Sequence, residues 1–183
     1  MEQVSPHALR SLPVSLVRRK CNTIIRADMS FHSKKCIRRK KEFMKKDDCI
    51  FCKLANGDIP TNSIYEDEVV KVIFDASPAA PGHILILPKN HYDDIYSMDD
   101  ETAAHVFKVA VKLSKAYRKA LDFDGLNIVQ NNGEAAGQTV FHFHMHIIPR
   151  YKNDTVNVTW KQNEADASVI EDIKSKVSEY LKD

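Results

Sequence analysis

The sequence predicts an α+β fold with an antiparallel sheet of about five strands, one long helix and a short N-terminal helix. Short runs rich in β-branched and aromatic residues recur between turn residues, as strands do. Only one long stretch, from about Asp99 to Leu121, repeats apolar residues at the helical period. Strands therefore dominate, and one helix is available to cover the sheet.

Each element has its own local signal. A helix from Cys49 to Asn56 stops at Gly57, and Ser97 with Asp100 offers a capping pair for the long helix. Ile64 to Glu66 and Val69 to Phe74 flank a turn and predict a hairpin. The remaining predicted strands are residues 83–87, 126–130 and 140–148.

Charge divides the chain into three parts. Residues 1–46 contain 13 of the 27 basic residues but only three of the 25 acidic ones, so the remainder has a net charge of −8. We expect 1–46 to be a disordered basic extension, 47–150 the folded domain, and 151–183 a tail with an amphipathic helix from about Asp166 to Leu181. An acidic domain makes nucleic acid an unlikely general partner, although the extension could contact nucleic acid or an anionic membrane.

The extension has two further interpretations. Its arginine-rich, acid-poor composition resembles an organelle transit peptide, but it lacks a convincing amphipathic stretch. Alternatively, Met44 is the natural start of the protein. Apolar runs are too short to span a membrane, and four cysteines are few for a disulfide-stabilised protein. We therefore expect a soluble protein in a reducing compartment, the cytoplasm, with organellar targeting as the alternative.

The strongest chemical pattern is a run of three alternating histidines. On a strand, His142, His144 and His146 would share one face. The opposite face would join the core through Phe141, Phe143, Met145 and Ile147. Three imidazoles on one face indicate either a catalytic strand or a metal site, because histidine serves both purposes.

Neighbouring polar residues favour phosphate chemistry at the histidine run. Segments 131–133 and 137–139 contain amide, hydroxyl and glycine backbone donors that suit phosphate oxygens. Asp75 is a candidate acceptor for sugar hydroxyls, although an aspartate before a turn commonly only forms the turn.

These motifs together resemble the histidine triad (HIT) family. The resemblance rests on residues 137–148, on 74–78 and on 81–91, and it covers about 48–150. It implies the family's fold and a nucleotide hydrolase in which His144 attacks the α-phosphorus and forms a covalent nucleotidyl-histidine. It also implies that family members of the Hint-like branch, with an N-terminal cysteine pair, are usually homodimers.

The resemblance assigns roles residue by residue. His146 would contact the scissile phosphate, with His83 as a supporting fourth histidine and His142 completing the triad. Thr139, Gln138 and Asn131 would bind phosphate and leaving group, and Asp75 would bind the ribose. The apolar slot for the base would be formed by Ile50, Phe51, Leu54 and Ile73.

Cys49-x-x-Cys52 is a second candidate site. Its spacing alone fits a metal or redox pair, or two small core thiols. The resemblance implies a structural zinc ion held by Cys49, Cys52, His91 and His142, with no metal required for the chemistry. A thioredoxin-like role is the alternative, but no βαβ pattern surrounds the pair.

The expected activity is that of a purine nucleoside phosphoramidase or nucleotidyl hydrolase. A dinucleoside polyphosphate hydrolase is the first alternative, because Thr139 and Pro149-Arg150 also resemble that branch. A non-enzymatic nucleotide- or zinc-binding interaction module is the second. A DNA-end deadenylase is less well supported, since no second zinc-finger domain or basic C-terminal extension follows the core.

Overall fold

The computed structural model describes residues 43–182 and confirms the α+β fold. Three helices are α1 (Ile50–Asn56), α2 (Asp100–Ala120) and α3 (Ala167–Ser178). Five strands form one antiparallel sheet in the order β1-β2-β3-β5-β4. Their bounds are β1 Ser63–Glu66, β2 Val70–Phe74, β3 Ile84–Pro88, β4 Gly125–Val129 and β5 Met145–Arg150. Most of the predicted extension 1–46, including Cys21 and Cys36, lies outside the described residues.

Alternation along the central strands builds an apolar core on each face of the sheet. Val72 and Ile86 are buried on one face, beneath α2 residues such as Val106. Ile73 and Leu85 are buried on the other face, where Phe51 and Leu54 of α1 pack against them. The two helices therefore cover opposite faces, and the short helix α1 lies on the side that carries the histidines.

The caps of the two helices are local side-chain interactions. The Cys49 thiol accepts from the backbone N–H of Cys52, and Gly57 ends α1 with a left-handed φ of 83°. The predicted capping pair of α2 is wrong. Asp99 is the cap, because its carboxylate accepts from Thr102 N at 2.8 Å, whereas Ser97 belongs to the preceding 3-10 turn that Asp94 caps.

The prediction of one histidine-bearing strand over 140–148 is wrong at its start. β5 begins at Met145, so His142 and His144 precede the strand. The ladder with β3 ends at the pair Ile86 and Met145. Pro88 has no N–H with which to continue the ladder. Its carbonyl accepts from His142 Nε2 at 3.0 Å. Phe143 N donates instead to Tyr92 O at 2.6 Å. Phe143, Met145 and Ile147 are buried as expected, but Phe141 is 43% exposed.

The C-terminal tail is attached at the end of β5. Arg150 donates to both carboxylate oxygens of Asp154 at 2.8 Å, and its guanidinium also bonds to Asn127 Oδ1 and to Val156 O. Beyond these Arg150 contacts the chain is irregular as far as α3, whose N-terminus Asp166 caps. No helix among residues 43–182 is long and apolar enough to cross a membrane.

Candidate active site and candidate metal centre

A cavity of about 370 Å³ opens between α1, the end of β2 and the histidine segment. His144, His146, Thr139 and Asp75 are the polar residues of its lining that matter most for chemistry. Phe51, Leu54 and Ile73 supply an apolar region. The cavity thus combines an apolar slot with a cluster of polar groups, which is the arrangement expected of a small-molecule site.

The His144 ring is held in one tautomer by the backbone. Its Nδ1–H donates to the carbonyl of His142 at 2.7 Å, which leaves Nε2 without a proton. Phe51 contacts the ring edge-on at 5.0 Å between centroids. Burial lowers the pKa of His144 below its usual value, against the raising effect of the bond to His142. The ring is therefore neutral at pH 7, with a lone pair available for attack.

His146 is held in the opposite tautomer by a hydrogen-bond chain. Ala79 N–H donates to His83 Nδ1 at 3.1 Å, so the proton of His83 is on Nε2. That proton is donated to His146 Nδ1 at 2.9 Å, so His146 carries its own proton on Nε2. Burial, followed by the neighbouring His144 and His83, lowers the pKa of His146 to about 4 against the raising effect of Asp75. The neutral His146 can therefore donate a hydrogen bond from Nε2–H beside the unprotonated Nε2 of His144.

Asp75 faces this pair of histidines. One carboxylate oxygen accepts from Ser77 N at 2.8 Å, and the other lies 3.6 Å from His83 Nε2. Burial lowers the pKa of His83, although the Asp75 carboxylate opposes that effect. The carboxylate retains accepting capacity on the cavity wall, where it could bind hydroxyl groups.

The loop before the histidines is organised by Gln138, whose side chain is only 3% exposed. Its amide nitrogen donates to Asp93 O at 2.7 Å and to Val140 O at 3.1 Å. Its amide oxygen accepts from Gly133 N at 2.7 Å. Thr139, by contrast, lines the cavity and its hydroxyl bonds to no described residue. Gln138 therefore uses its hydrogen-bonding groups to hold the loop, whereas the Thr139 hydroxyl has no hydrogen-bond partner among the described residues and is available to a ligand.

Cys49, Cys52, His91 and His142 form a second cluster, in which one ligand atom from each lies within 4.8 Å of the others. Cys52 Sγ is 3.2 Å from His91 Nδ1 and 3.5 Å from His142 Nδ1, and Cys49 Sγ is 3.5 Å from His142 Nδ1. A tetrahedral zinc ion with bonds of about 2.0 to 2.3 Å separates its ligand atoms by about 3.5 Å. The donor set and its spacing therefore fit zinc.

Outer hydrogen bonds set the tautomers of both histidines in this cluster. His142 Nε2–H donates to Pro88 O at 3.0 Å, and His91 Nε2–H donates to Asp93 Oδ1 at 3.0 Å. Both Nδ1 lone pairs then face the thiols, as metal ligation requires. Burial raises the pKa of the Cys52 thiol to about 11, and burial lowers the pKa of His142 to about 4. A cation between them would favour the thiolate.

Comparison with known proteins decides the family. A sequence profile described as the HIT domain matches residues 56–153, more than half of the chain. The chain belongs to the HIT domain family. Protein hit of Bacillus subtilis is 44% identical over 137 residues, which cover 74% of this chain and 94% of that protein.

Two relatives that are named for an enzymatic activity are also similar to this HIT chain. The adenosine 5′-monophosphoramidase HNT1 of Candida albicans is 32% identical over 138 residues, 73% of this chain and 91% of the relative. The adenylylsulfatase HINT3 of Arabidopsis thaliana is 41% identical over 108 residues, 59% of this chain and 55% of the relative.

Solved HIT structures share the fold. A HIT family protein from Bacillus subtilis superposes with a TM-score of 0.70 at 41% identity, covering 75% of this chain and 99% of the other. A zinc-bound histidine triad family protein from Mycobacterium smegmatis gives a TM-score of 0.57 at 35% identity, covering 70% and 97%.

The predicted histidines and cavity residues of this HIT domain lie in four positions. His144, His146, Thr139, Asp75, Phe51, Leu54 and Ile73 line the cavity. His83 donates a hydrogen bond to His146 Nδ1, and His142 directs its Nδ1 toward the cysteines. Ile50 lies instead in a neighbouring hollow of about 260 Å³ that also contains Thr139 and Phe141.

Some lining residues were missed by sequence reasoning. Thr61, Phe74, Ala76, Ser77 and Leu85 also face the cavity. Leu85 could have been found from alternation, because it lies opposite His146 in the β3–β5 ladder. Thr61 and Ser77 lie in irregular segments, where no periodic pattern indicates the direction of a side chain.

Proposed function

We propose that this HIT protein hydrolyses a nucleoside 5′-monophosphate conjugate through a covalent intermediate on His144. The observation that supports it most directly is the unprotonated His144 Nε2, fixed by the 2.7 Å bond from Nδ1 to the His142 carbonyl and facing a nucleoside-sized cavity. The activities for which the phosphoramidase and adenylylsulfatase relatives are named agree with a nucleotide substrate.

In the first step, the His144 Nε2 lone pair forms a bond to the α-phosphorus while the bond from phosphorus to the leaving group breaks. The phosphate oxygens would be bound by the His146 Nε2–H and the Thr139 hydroxyl, because both residues line the same cavity as His144. The leaving group takes a proton from solvent as it departs. In the second step, water attacks phosphorus and gives up a proton to solvent, the bond to His144 breaks, and the nucleoside monophosphate is released.

The nucleoside would occupy the rest of the cavity. Asp75 would accept from ribose hydroxyls, and the apolar residues Phe51, Leu54 and Ile73 would contact the base. Stacking and apolar contacts suit any flat base. The purine preference, with adenine as the base, therefore rests on the adenosine and adenylyl groups for which the two relatives are named.

A direct comparison of substrates tests the proposal. Turnover of an adenosine 5′-phosphoramidate and of diadenosine tetraphosphate should be measured under identical conditions, with His144→Ala as the control. Preference for the phosphoramidate supports our proposal, and preference for the tetraphosphate supports a dinucleoside polyphosphate hydrolase. Binding of AMP without turnover of either substrate would favour the non-enzymatic module.

We further propose that the cysteine cluster holds one structural zinc ion, which would place this chain in the HIT branch with an N-terminal cysteine pair. All four protein ligands are used, so no open coordination position is left for a substrate. The zinc-bound relative from Mycobacterium smegmatis agrees with this metal. Bound there, zinc would tie the start of α1 to the histidine segment, while the chemistry would use no metal.

We also propose that the protein is a homodimer. β4 is an edge strand of the described sheet, bonded only to β5. Ile128 on this strand is exposed, and so are Phe107 and Val111 on α2. An open edge with exposed apolar side chains favours association with another chain. Sedimentation equilibrium on the full chain, compared with Ile128→Asp, would test this surface.

A further inference from the structure

Cys49 and Cys52 are placed to react with each other as well as to bind a metal. Their Sγ atoms lie within 4.8 Å of one another, and the Cys52 N–H donates to Cys49 Sγ at 3.4 Å. A disulfide bond is about 2.05 Å long, so the two sulfurs need to approach by less than about 3 Å. Both residues are free cysteines in this structure. The pair is therefore close to the geometry of a disulfide without having formed one.

The pair lies at the start of α1, where the remaining movement is available. Cys49 is the cap residue, with an extended backbone at φ −82° and ψ 118°, and Cys52 lies in the first turn. The ends of a helix are the parts that fray most readily. Rotation of the two side chains, together with a small shift of this turn, would join the sulfurs and leave the sheet in place.

Cys49 is the sulfur that a small oxidant reaches first. Cys49 is 8% exposed, whereas Cys52 is 1% exposed. Cys49 also lines the hollow of about 260 Å³ that contains Ile50 and Phe141, and this hollow is open to solvent. Cys52 does not line it. The hollow has room for several water molecules, and hydrogen peroxide is only about twice the size of one.

We propose that Cys49 and Cys52 form a redox-modification site, at which hydrogen peroxide converts the two thiolates into a disulfide. Ligation to zinc holds both cysteines as thiolates, which is the form that reacts with peroxides. This activation rests on the proposed structural zinc site, whereas the disulfide itself requires only the two sulfurs.

The oxidation consists of two balanced steps. In the first, the Cys49 thiolate takes one peroxide oxygen and becomes a sulfenic acid, while hydroxide leaves. In the second, the Cys52 thiolate attacks the Cys49 sulfur, the disulfide bond forms, and a second hydroxide leaves. Two electrons pass from the sulfurs to the peroxide, and two protons from solvent convert the hydroxides to water.

Loss of the metal follows from the change in the ligands. The sulfurs of a disulfide carry no negative charge, so they no longer supply the thiolates that zinc prefers. Only His91 and His142 would remain of the four candidate ligands. Two imidazoles do not complete a tetrahedral zinc site, so each disulfide formed should release one zinc ion.

Phe51 connects this pair to the cavity. It lies between the two cysteines in the sequence, and its ring contacts His144 edge-on at 5.0 Å between centroids. Phe51 also lines the cavity in which the base would bind. A shift of the first turn of α1 would move this ring, so formation of the disulfide should weaken the affinity for AMP severalfold.

Peptide mapping of the full chain tests the modification directly. Reduced protein is treated with one equivalent of hydrogen peroxide, and its thiols are then alkylated. We expect the tryptic peptide that contains both Cys49 and Cys52 to be lighter by two hydrogens and resistant to alkylation. A chromogenic chelator should detect one zinc ion per disulfide, and dithiothreitol should restore the thiols. Sulfinic acid on Cys49 without a disulfide, or disulfides that involve only Cys21 or Cys36, would overturn the proposal.

Matched cysteine variants test the order of reaction. Cys21→Ser with Cys36→Ser should form the same disulfide as the wild type, because neither residue takes part. Cys52→Ser should accumulate a sulfenic acid on Cys49 that dimedone labels, whereas Cys49→Ser should label much more slowly on the less exposed Cys52. Equal labelling rates would contradict Cys49 as the first sulfur to react. If the single variants fail to fold, the peptide map of the variant lacking Cys21 and Cys36 still decides.

The outcomes separate this modification from the proposed function. Protein that contains no zinc but forms the disulfide would refute the structural zinc and support the redox pair. Zinc-bound protein that never forms the disulfide would support the metal site and overturn the redox pair. AMP affinity is measured on reduced and on fully disulfide-bonded protein, and equal values would overturn the connection through Phe51. Failure of the reduced protein to bind AMP or to turn over a phosphoramidate would count against the hydrolase alone.

Discussion

Replacing Gln138 by Met separates two explanations of that side chain. Met has a similar length but cannot make the three hydrogen bonds with which Gln138 joins Asp93, Val140 and Gly133. Each such bond contributes about 1 kcal/mol, and the buried groups left unpaired add to the cost. We therefore expect the free energy of unfolding to fall by about 2 to 4 kcal/mol.

The measurement is urea unfolding followed by circular dichroism, together with turnover of an adenosine phosphoramidate. A residue that holds the loop should lower both stability and turnover, since the loop carries Thr139. Asn131→Ala is a suitable control for the unfolding measurement alone, because the Asn131 side chain makes no hydrogen bond that crosses the loop in this structure. Turnover lost with stability changed by less than about 0.5 kcal/mol would refute the reasoning and make Gln138 a substrate ligand.

Four further outcomes are expected. His144→Ala should abolish turnover but leave folding and AMP binding largely intact, and substantial remaining activity would exclude the covalent mechanism. Asp67→Asn should cost about 2 kcal/mol at pH 7 and much less near pH 2 in urea titrations. A chelator should lower the melting temperature with release of one zinc per chain, while Cys49→Ser with Cys52→Ser should contain no zinc; equal metal content would refute the site. A chain beginning at Met44 should fold and turn over like the full chain, and a large loss would make the extension part of the domain.

The sign of the Asp67 prediction follows from its contacts. Burial raises the pKa of this carboxyl, but backbone N–H groups of Val70 and Val69 and the His105 ring lower it more, to about 2. Because the folded pKa is below the unfolded one, the stabilisation is present above about pH 4 and is lost as the pH falls toward 2. A variant whose deficit is the same at both pH values would contradict this assignment.

The elements of this fold could be predicted from sequence because their signals are periodic. Val106 and Leu113 repeat at the helical period and are buried on the inner face of α2, and Val72 and Ile73 alternate between the two cores. The start of β5 could not be predicted from its own residues. Its ladder ends because Pro88, more than fifty positions earlier, directs its carbonyl to the His142 ring.

The candidate site was likewise only partly predictable from the sequence. The alternation of His142, His144 and His146 identified them as functional residues. It did not indicate that His142 would face the cysteines while His144 and His146 would face the cavity. The role of Gln138 depends on an irregular loop that folds back onto Asp93, and such a contact leaves no periodic signal. The exposure of α3 could not be predicted either, because an amphipathic pattern indicates an apolar face and not the surface that would cover it.

The acceptor that orients His144 is a main-chain carbonyl, and this has a consequence for how the protein can change over time. Every amino acid at position 142 provides the same carbonyl, so no substitution of that side chain removes the acceptor at 2.7 Å. Position 142 can therefore gain or lose a metal-binding imidazole without changing the tautomer of His144. Mutational drift at the metal centre and selection on the nucleophile can proceed separately, even though the two residues are only two positions apart.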